Sequence, residues 1–168
     1  METTDGEGNV DKSKSIELDK SVMDSKKSST VATNKGPMDV DEYDIKNDEK
    51  ARKVFEFVAS NSSKAEWSIT GVGNENGKNG SNKLTTSGEI DKEAGAPKIF
   101  ASGYSIRYSD HSHPYSNNAS GGDRGFARRL NSRFSNATTR IFHSGNYTRY
   151  DAGGSIKTVN IKSIPIKF

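Results

Sequence analysis

The chain has 168 residues, of which 30% are hydrophobic and 28% charged, and its 25 basic and 22 acidic side chains leave a net charge of +3. That length suits one domain of ordinary size plus a tail. The absence of cysteine excludes disulfides, zinc–thiolate centres and thiol nucleophiles, and no apolar run is long enough for a bilayer span or the core of a signal peptide.

Charge and composition divide the chain. Residues 1–50 carry a net charge of −5 and a single aromatic residue, Tyr43, whereas residues 51–168 carry +8. Ser, Lys, Asp and Gly with isolated apolar residues cannot bury enough surface to offset the entropy of ordering. Residues 1–42 therefore read as a disordered or linker segment, and 43–168 as the domain.

Residues 44–60, DIKNDEKARKVFEFVAS, set Ala51, Val54, Phe55 and Val58 at helical spacing with acids early, which predicts an amphipathic helix. KAEWSITGV (64–72) alternates, placing Ala65, Trp67 and Ile69 on one side and Glu66, Ser68 and Thr70 on the other, as in a half-buried strand. GVGNENGKNGSN (71–82) is a loop that lacks the G-K-[ST] of a phosphate-binding turn. KLTTSG (83–88) reads as a short strand and EIDKEAGAP (89–97) as a surface loop. KIFASGYSIRYSDHSH (98–113) reads as one long strand whose parity puts His111 and His113 on the same side.

GDRGFARRLNSRF (122–134) spaces Phe126, Leu130 and Phe134 for a helix with Asp123 in its first turn. TTRIFHSGNYTRYD (138–151) reads as two strands about an SGN turn. In SIKTVNIKSIPIKF (155–168) the apolar parity switches between Ile161 and Ile164, suggesting a bulge, and Pro165 suits an edge strand. The order of elements predicts an α/β domain, a mixed sheet with helices packed on it.

The chemistry concentrates in DHSHPYSNNASGGD (110–123), which holds two of the three histidines. His111, His113 and Asp123 offer two nitrogens and one oxygen, a donor set suited to Zn²⁺, whose catalytic sites keep three protein ligands and a place for water. A solvated polar loop is the alternative reading of the same residues. Among the other acids, Glu56 falls on the predicted helix and Glu75 and Glu89 in loops, which leaves Glu66 as the strand carboxylate. His143 reads as a structural, turn-proximal residue. Asp110 reads either as a carboxylate orienting His111 or as a solvated turn residue. Seven arginines and only two acids lie between Arg107 and Arg149, so the local field is positive, while no nucleic-acid-binding motif accompanies it.

HSHP (111–114) followed by SGGD (120–123), with a strand glutamate upstream, resembles the JAMM motif of the JAB/MPN metallopeptidases: a glutamate on an early strand, then H-[ST]-H-P, then S-x-x-D opening a helix. The resemblance spans about residues 44–168 and, through EWS and LTTS, is closest in character to the JAB-like domains at the C-termini of bacterial polymorphic toxins. Nine residues, Pro114–Gly122, separate the second histidine from the aspartate, where the usual motif has ten.

The resemblance implies a JAB/MPN-like (cytidine-deaminase-like) mixed β-sheet flanked by helices. It implies that His111, His113 and Asp123 bind zinc and that the zinc lowers the pKa of its water towards ~7. Glu66 would then be general base and Ser120 the donor to the tetrahedral oxyanion. The implied reaction is hydrolysis of a peptide or isopeptide bond by a toxin or effector domain, with a protein substrate in a target cell and an immunity protein as partner. Such a domain would be secreted or delivered without a signal peptide of its own, or otherwise cytoplasmic, with neither membrane nor nucleic acid as partner. Two other readings stay open, a metal-dependent nuclease and a JAB-like binding module without catalysis.

Overall fold

The computed structural model describes residues 21–91 and 94–160, with the backbone of two short segments before them. Those segments, β1 (Thr3–Thr4) and β2 (Val10–Asp11), pair with each other. Next come β3 (Lys27–Thr33), β4 (Gly36–Lys46), α1 (Asp48–Ser60), β5 (Trp67–Val72), a 3₁₀ turn (Gly77–Asn79) and β6 (Ser81–Thr86). The chain continues through α2 (Gly95–Ala101), β7 (Ile106–Ser112), α3 (Gly121–Arg133), β8 (Thr138–His143), β9 (Asn146–Asp151) and β10 (Gly154–Asn160).

Strands β3 to β10 form one eight-stranded sheet in the order β10-β9-β8-β7-β5-β6-β4-β3. Neighbours are antiparallel except β7 and β8, which run parallel with α3 as their crossover. The mixed α/β architecture expected from the sequence is thus present.

Side-chain alternation decides which face each helix covers. Phe142 and Tyr147 point into a core with Ile45, Val54, Phe55, Ile69 and Leu84, beneath α1. Their neighbours of opposite parity, Ile141 and Tyr150, pack instead with Ala127 of α3. Ala96 of α2 joins Ile106, Phe126, Leu130 and Ala137 in a further cluster on the α3 side. Each fully buried side chain of Leu, Ile or Phe size stabilises the fold by roughly 1.5–3 kcal/mol, so the helices are fixed on the sheet by these stripes.

Local chemistry sets the boundaries. Asn47, at φ 75°, caps α1 by accepting from the amides of Glu49 and Lys50 at 3.0 and 3.1 Å. Asp48 receives a bidentate pair from Arg107 at 2.8 and 2.9 Å and an amide hydrogen bond from Gly77 at 2.9 Å. Gly80 lies against that carboxylate, where an added Cβ would sit 2.0 Å from an Asp48 oxygen. Ser144 and Gly145, both at positive φ, make the two-residue turn between β8 and β9.

Three expectations are corrected. Residues 27–42, read as part of a disordered or linker segment, form β3 and most of β4 at the sheet edge. An edge strand needs no apolar face when backbone pairing and polar cross-strand contacts hold it: Thr30 donates to Asp39 at 2.7 Å and Ser28 to Asp41 at 2.6 Å, while Val40 and Ile45 reach the core. The first helix begins at Asp48, because Tyr43–Lys46 pair with β6. The supposed loop and long strand over 89–113 contain helix α2, with Ile99 buried, Pro97 in the first turn where no amide is required, and Gly103 at φ 83° just past the end. The expected bulge at 161–164 and the edge proline at 165 lie outside the described residues, although β10 itself is an edge strand.

Candidate metal centre

β5 and β7 run side by side as far as the pair Ser68 and His111, and there they part. The amide of Trp67 donates to the Ser112 hydroxyl at 3.0 Å instead of to a strand carbonyl. Glu66 turns aside, its amide donating to the Glu89 carbonyl at 3.0 Å, while the His113 amide donates to Phe142 of β8, also at 3.0 Å. The fork opens a gap lined by Glu66 on one branch and the two histidines on the other.

Helix α3 closes the gap from its N-terminus. Ser120 is the N-cap: its hydroxyl accepts from the Asp123 amide at 3.2 Å, and the Asp123 carboxylate accepts from the Ser120 amide at 2.7 Å, a reciprocal capping box. The same carboxylate faces the histidines. His111 Nε2 lies 3.1 Å from Asp123 Oδ1 and 2.9 Å from His113 Nε2, and His113 Nε2 lies 3.5 Å from Asp123 Oδ2.

Those separations test whether an ion fits. Ligand atoms ~2.0–2.1 Å from a tetrahedral zinc lie about 3.3 Å from one another, and the nearest contacts, which use both Asp123 oxygens, lie close to that length. Two imidazole nitrogens and a carboxylate oxygen also match zinc in donor type. His111, His113 and Asp123 therefore form a group that can hold a metal ion.

Electrostatics favour the same state. Burial, followed by the charge of His111, lowers the His113 pKa to about 4, so its ring is held neutral and ready to donate a lone pair. Burial alone would raise Asp123, but the hydrogen bond and charge of His111, with the hydroxyl and amide of Ser120, hold it well below the usual carboxylate range.

Glu66 is buried, and its Oε1 stands 3.8 Å from His113 Nε2. It belongs to the same side of β5 as Ser68, the strand partner of His111, as the alternation of KAEWSITGV implies. Ser120 is exposed at the rim. These residues line a cleft of about 690 Å³ whose far wall is the turn of the β3–β4 hairpin.

Asp110 does not orient His111. It is fully buried on the opposite face, in a two-point pair with Arg140 whose Nε contact is 2.9 Å. Adjacent residues on a strand point to opposite faces, and this parity argument, applied to Asp110, anticipates the result. His143 stays structural in kind but touches the site, donating from Nδ1 to the His113 carbonyl at 2.7 Å. Ser112, which bridges the fork, and Asp91, in the cleft wall, carry no sequence signal that distinguishes them from other polar residues.

The fold and site define a mixed α/β domain whose sheet forks around a His-His-Asp group able to hold a metal ion. Within that class, a family model described as JAB-like toxin 1 matches residues 43–140, and the chain belongs to this family of JAB-like bacterial toxin domains. Comparison with curated proteins and with solved structures gave no match. Among the described residues, no helix is long and apolar enough to cross a membrane.

Proposed function

We propose that the domain is a zinc-dependent hydrolase of the JAMM type, cleaving a peptide or isopeptide bond in a protein of a target cell, on a cytidine-deaminase-like scaffold. The observation that carries the reading is the buried Glu66 carboxylate poised 3.8 Å from the His-His-Asp group. A zinc ion held there would supply Lewis acidity and acidify water near neutral pH.

The chain's own groups have distinct tasks. Glu66, buried beside His113, takes a proton from the attacking water on its carboxylate and returns it to the amine that leaves as the C–N bond breaks. The Ser120 hydroxyl, exposed at the rim of the cleft, would turn its hydrogen from the Asp123 carboxylate to the charge developing on the substrate carbonyl oxygen. The toxin family supports a role in attack on another cell, where an immunity protein would be needed in the producer.

The test is elemental analysis of the purified protein beside His113→Ala, followed by proteolysis assays with Glu66→Gln. The expected result is about one zinc per chain, absent from His113→Ala, and hydrolysis that Glu66→Gln abolishes while keeping its zinc. Protein that neither contains nor takes up zinc would overturn the reading and leave a JAB-like scaffold used for binding.

A further inference from the structure

Helix α3 buries Phe126, Ala127 and Leu130 against the sheet. Its outward arc carries Arg124, Arg128, Arg129 and Arg133, all exposed, and between them only Gly121, Gly122, Gly125 and Ser132. Within α3 the one acid is Asp123, which is turned into the metal site. No acidic side chain among the described residues makes an ion pair with these four arginines, whereas Arg107 is bound to the half-buried Asp48 and Arg140 to the buried Asp110. Four uncompensated guanidinium groups on one helix face, with small residues leaving room between the rows, favour an anionic occupant.

The face is continuous with the cleft. Arg129 lines the metal cleft, and Arg133 lines a second hollow of about 400 Å³ at the other end of β7, walled by Ser105 and Asn136. The helix between them is ~20 Å long, so a strand of several residues leaving the cleft would lie along the arginines.

We infer that this face is a docking track for an acidic polypeptide segment next to the bond that is cleaved. The inference rests on the hydrolase reading and adds to it the charge of the substrate. A nucleic acid fits the face less well: unspecific binding of single strands uses stacked aromatic rings, whereas Phe126 of α3 turns into the core and Phe134 at its C-cap packs against Phe100.

The test measures binding of fluorescein-labelled decaglutamate and of an oligothymidylate of matched charge by anisotropy, at low and at physiological salt. The proteins are wild type, Glu66→Gln, R124E/R128E/R129E and the charge-matched control K50E/K64E/K78E, whose lysines are exposed elsewhere. Decaglutamate is expected to bind wild type and Glu66→Gln alike, to weaken about tenfold or more in the arginine variant as expected for several exposed charge contacts, and to weaken far less in the lysine control. Because Glu66→Gln binds without hydrolysing, failure of the track and failure of the hydrolase reading are told apart. Absence of decaglutamate binding, equal losses in the two triple variants, or tighter oligothymidylate binding lost through the same arginines would overturn the inference. Should the arginine variant lose its fold by circular dichroism, R124Q/R128Q/R129Q takes its place.

Discussion

The Nε2 atoms of His111 and His113 lie 2.9 Å apart. At that distance two ring lone pairs repel unless a proton or a cation stands between them or draws on both. A zinc ion held there, as proposed, would relieve the conflict, and by binding the native state alone it would raise stability by roughly 2.7 kcal/mol at a hundredfold excess over its dissociation constant. The melting temperature of metal-stripped protein should rise on adding zinc. The rise should vanish in His113→Ala, which differential scanning calorimetry can measure.

The capping box gives Ser120 two loads. Ser120→Ala removes the acceptor of the Asp123 amide, a loss that costs about 1 kcal/mol at helix N-caps. It also loosens the carboxylate that faces both histidines. The expected outcome is a lower urea midpoint together with weaker zinc binding in a competition titration, whereas Ser120→Thr restores both.

Asp110 and Arg140 face each other inside the sheet under α1, with Arg140 stacked over Tyr147 at 4.9 Å. Asp110→Ala leaves a buried guanidinium without its counter-charge, and truncating one partner of such a pair costs about 3–5 kcal/mol. Chemical denaturation should show this loss. The double variant Asp110→Leu with Arg140→Met should recover most of it, because an apolar pair of similar size carries no stranded charge.

Glu42 should contribute to acid lability alongside Asp123. Burial raises its pKa, but the hydrogen bonds and charges of Lys98 and Lys83, at 2.6 and 3.0 Å, outweigh it and leave the folded-state value lowered. A lowered carboxylate contributes stability that is complete above the unfolded-state pKa of ~4.3 and is lost as pH falls through the folded-state value. Asp44 is lowered in the same way by Lys27 and Lys83 against the opposing effect of burial. Glu42→Gln should lower stability at pH 7 and flatten its decline below about pH 4.5, as read from urea midpoints across the acid range.

The site was legible in the sequence where its residues are close in the chain. HSHP and SGGD lie within one short stretch, and Ser120 still caps α3 despite the loop being one residue short, because the capping box fixes Asp123 relative to Ser120 whatever precedes it. The face of the strand on which Glu66 lies follows from alternation, whereas its choice among the glutamates rests on excluding helix and loop positions and on the resemblance. What stayed hidden depends on partners far along the chain. The β3–β4 hairpin is polar in composition, with β3 largely exposed, and its order comes from pairing with β6, which composition cannot show. Helix α2 is short, and the apolar residues that identify it, Ala96 and Ile99, have meaning only against the sheet. Ser112 looks like a spacer between two histidines until Trp67 is brought beside it.

The fork at Trp67 and Ser112 makes the distance between Glu66 and the histidines adjustable. Beyond the Ser68–His111 pair, the Trp67–Ser112 hydrogen bond to a side chain stands where a ladder would have set backbone bonds. Opening the branches further gives up that contact, on the order of 1 kcal/mol, and leaves the pairing of Glu66 with Glu89 and of His113 with Phe142 intact. The sheet can thus act as a pair of jaws, rigid through its body and compliant at the tips, so that under the proposed reading a bulky junction in the substrate could be admitted without unzipping a strand.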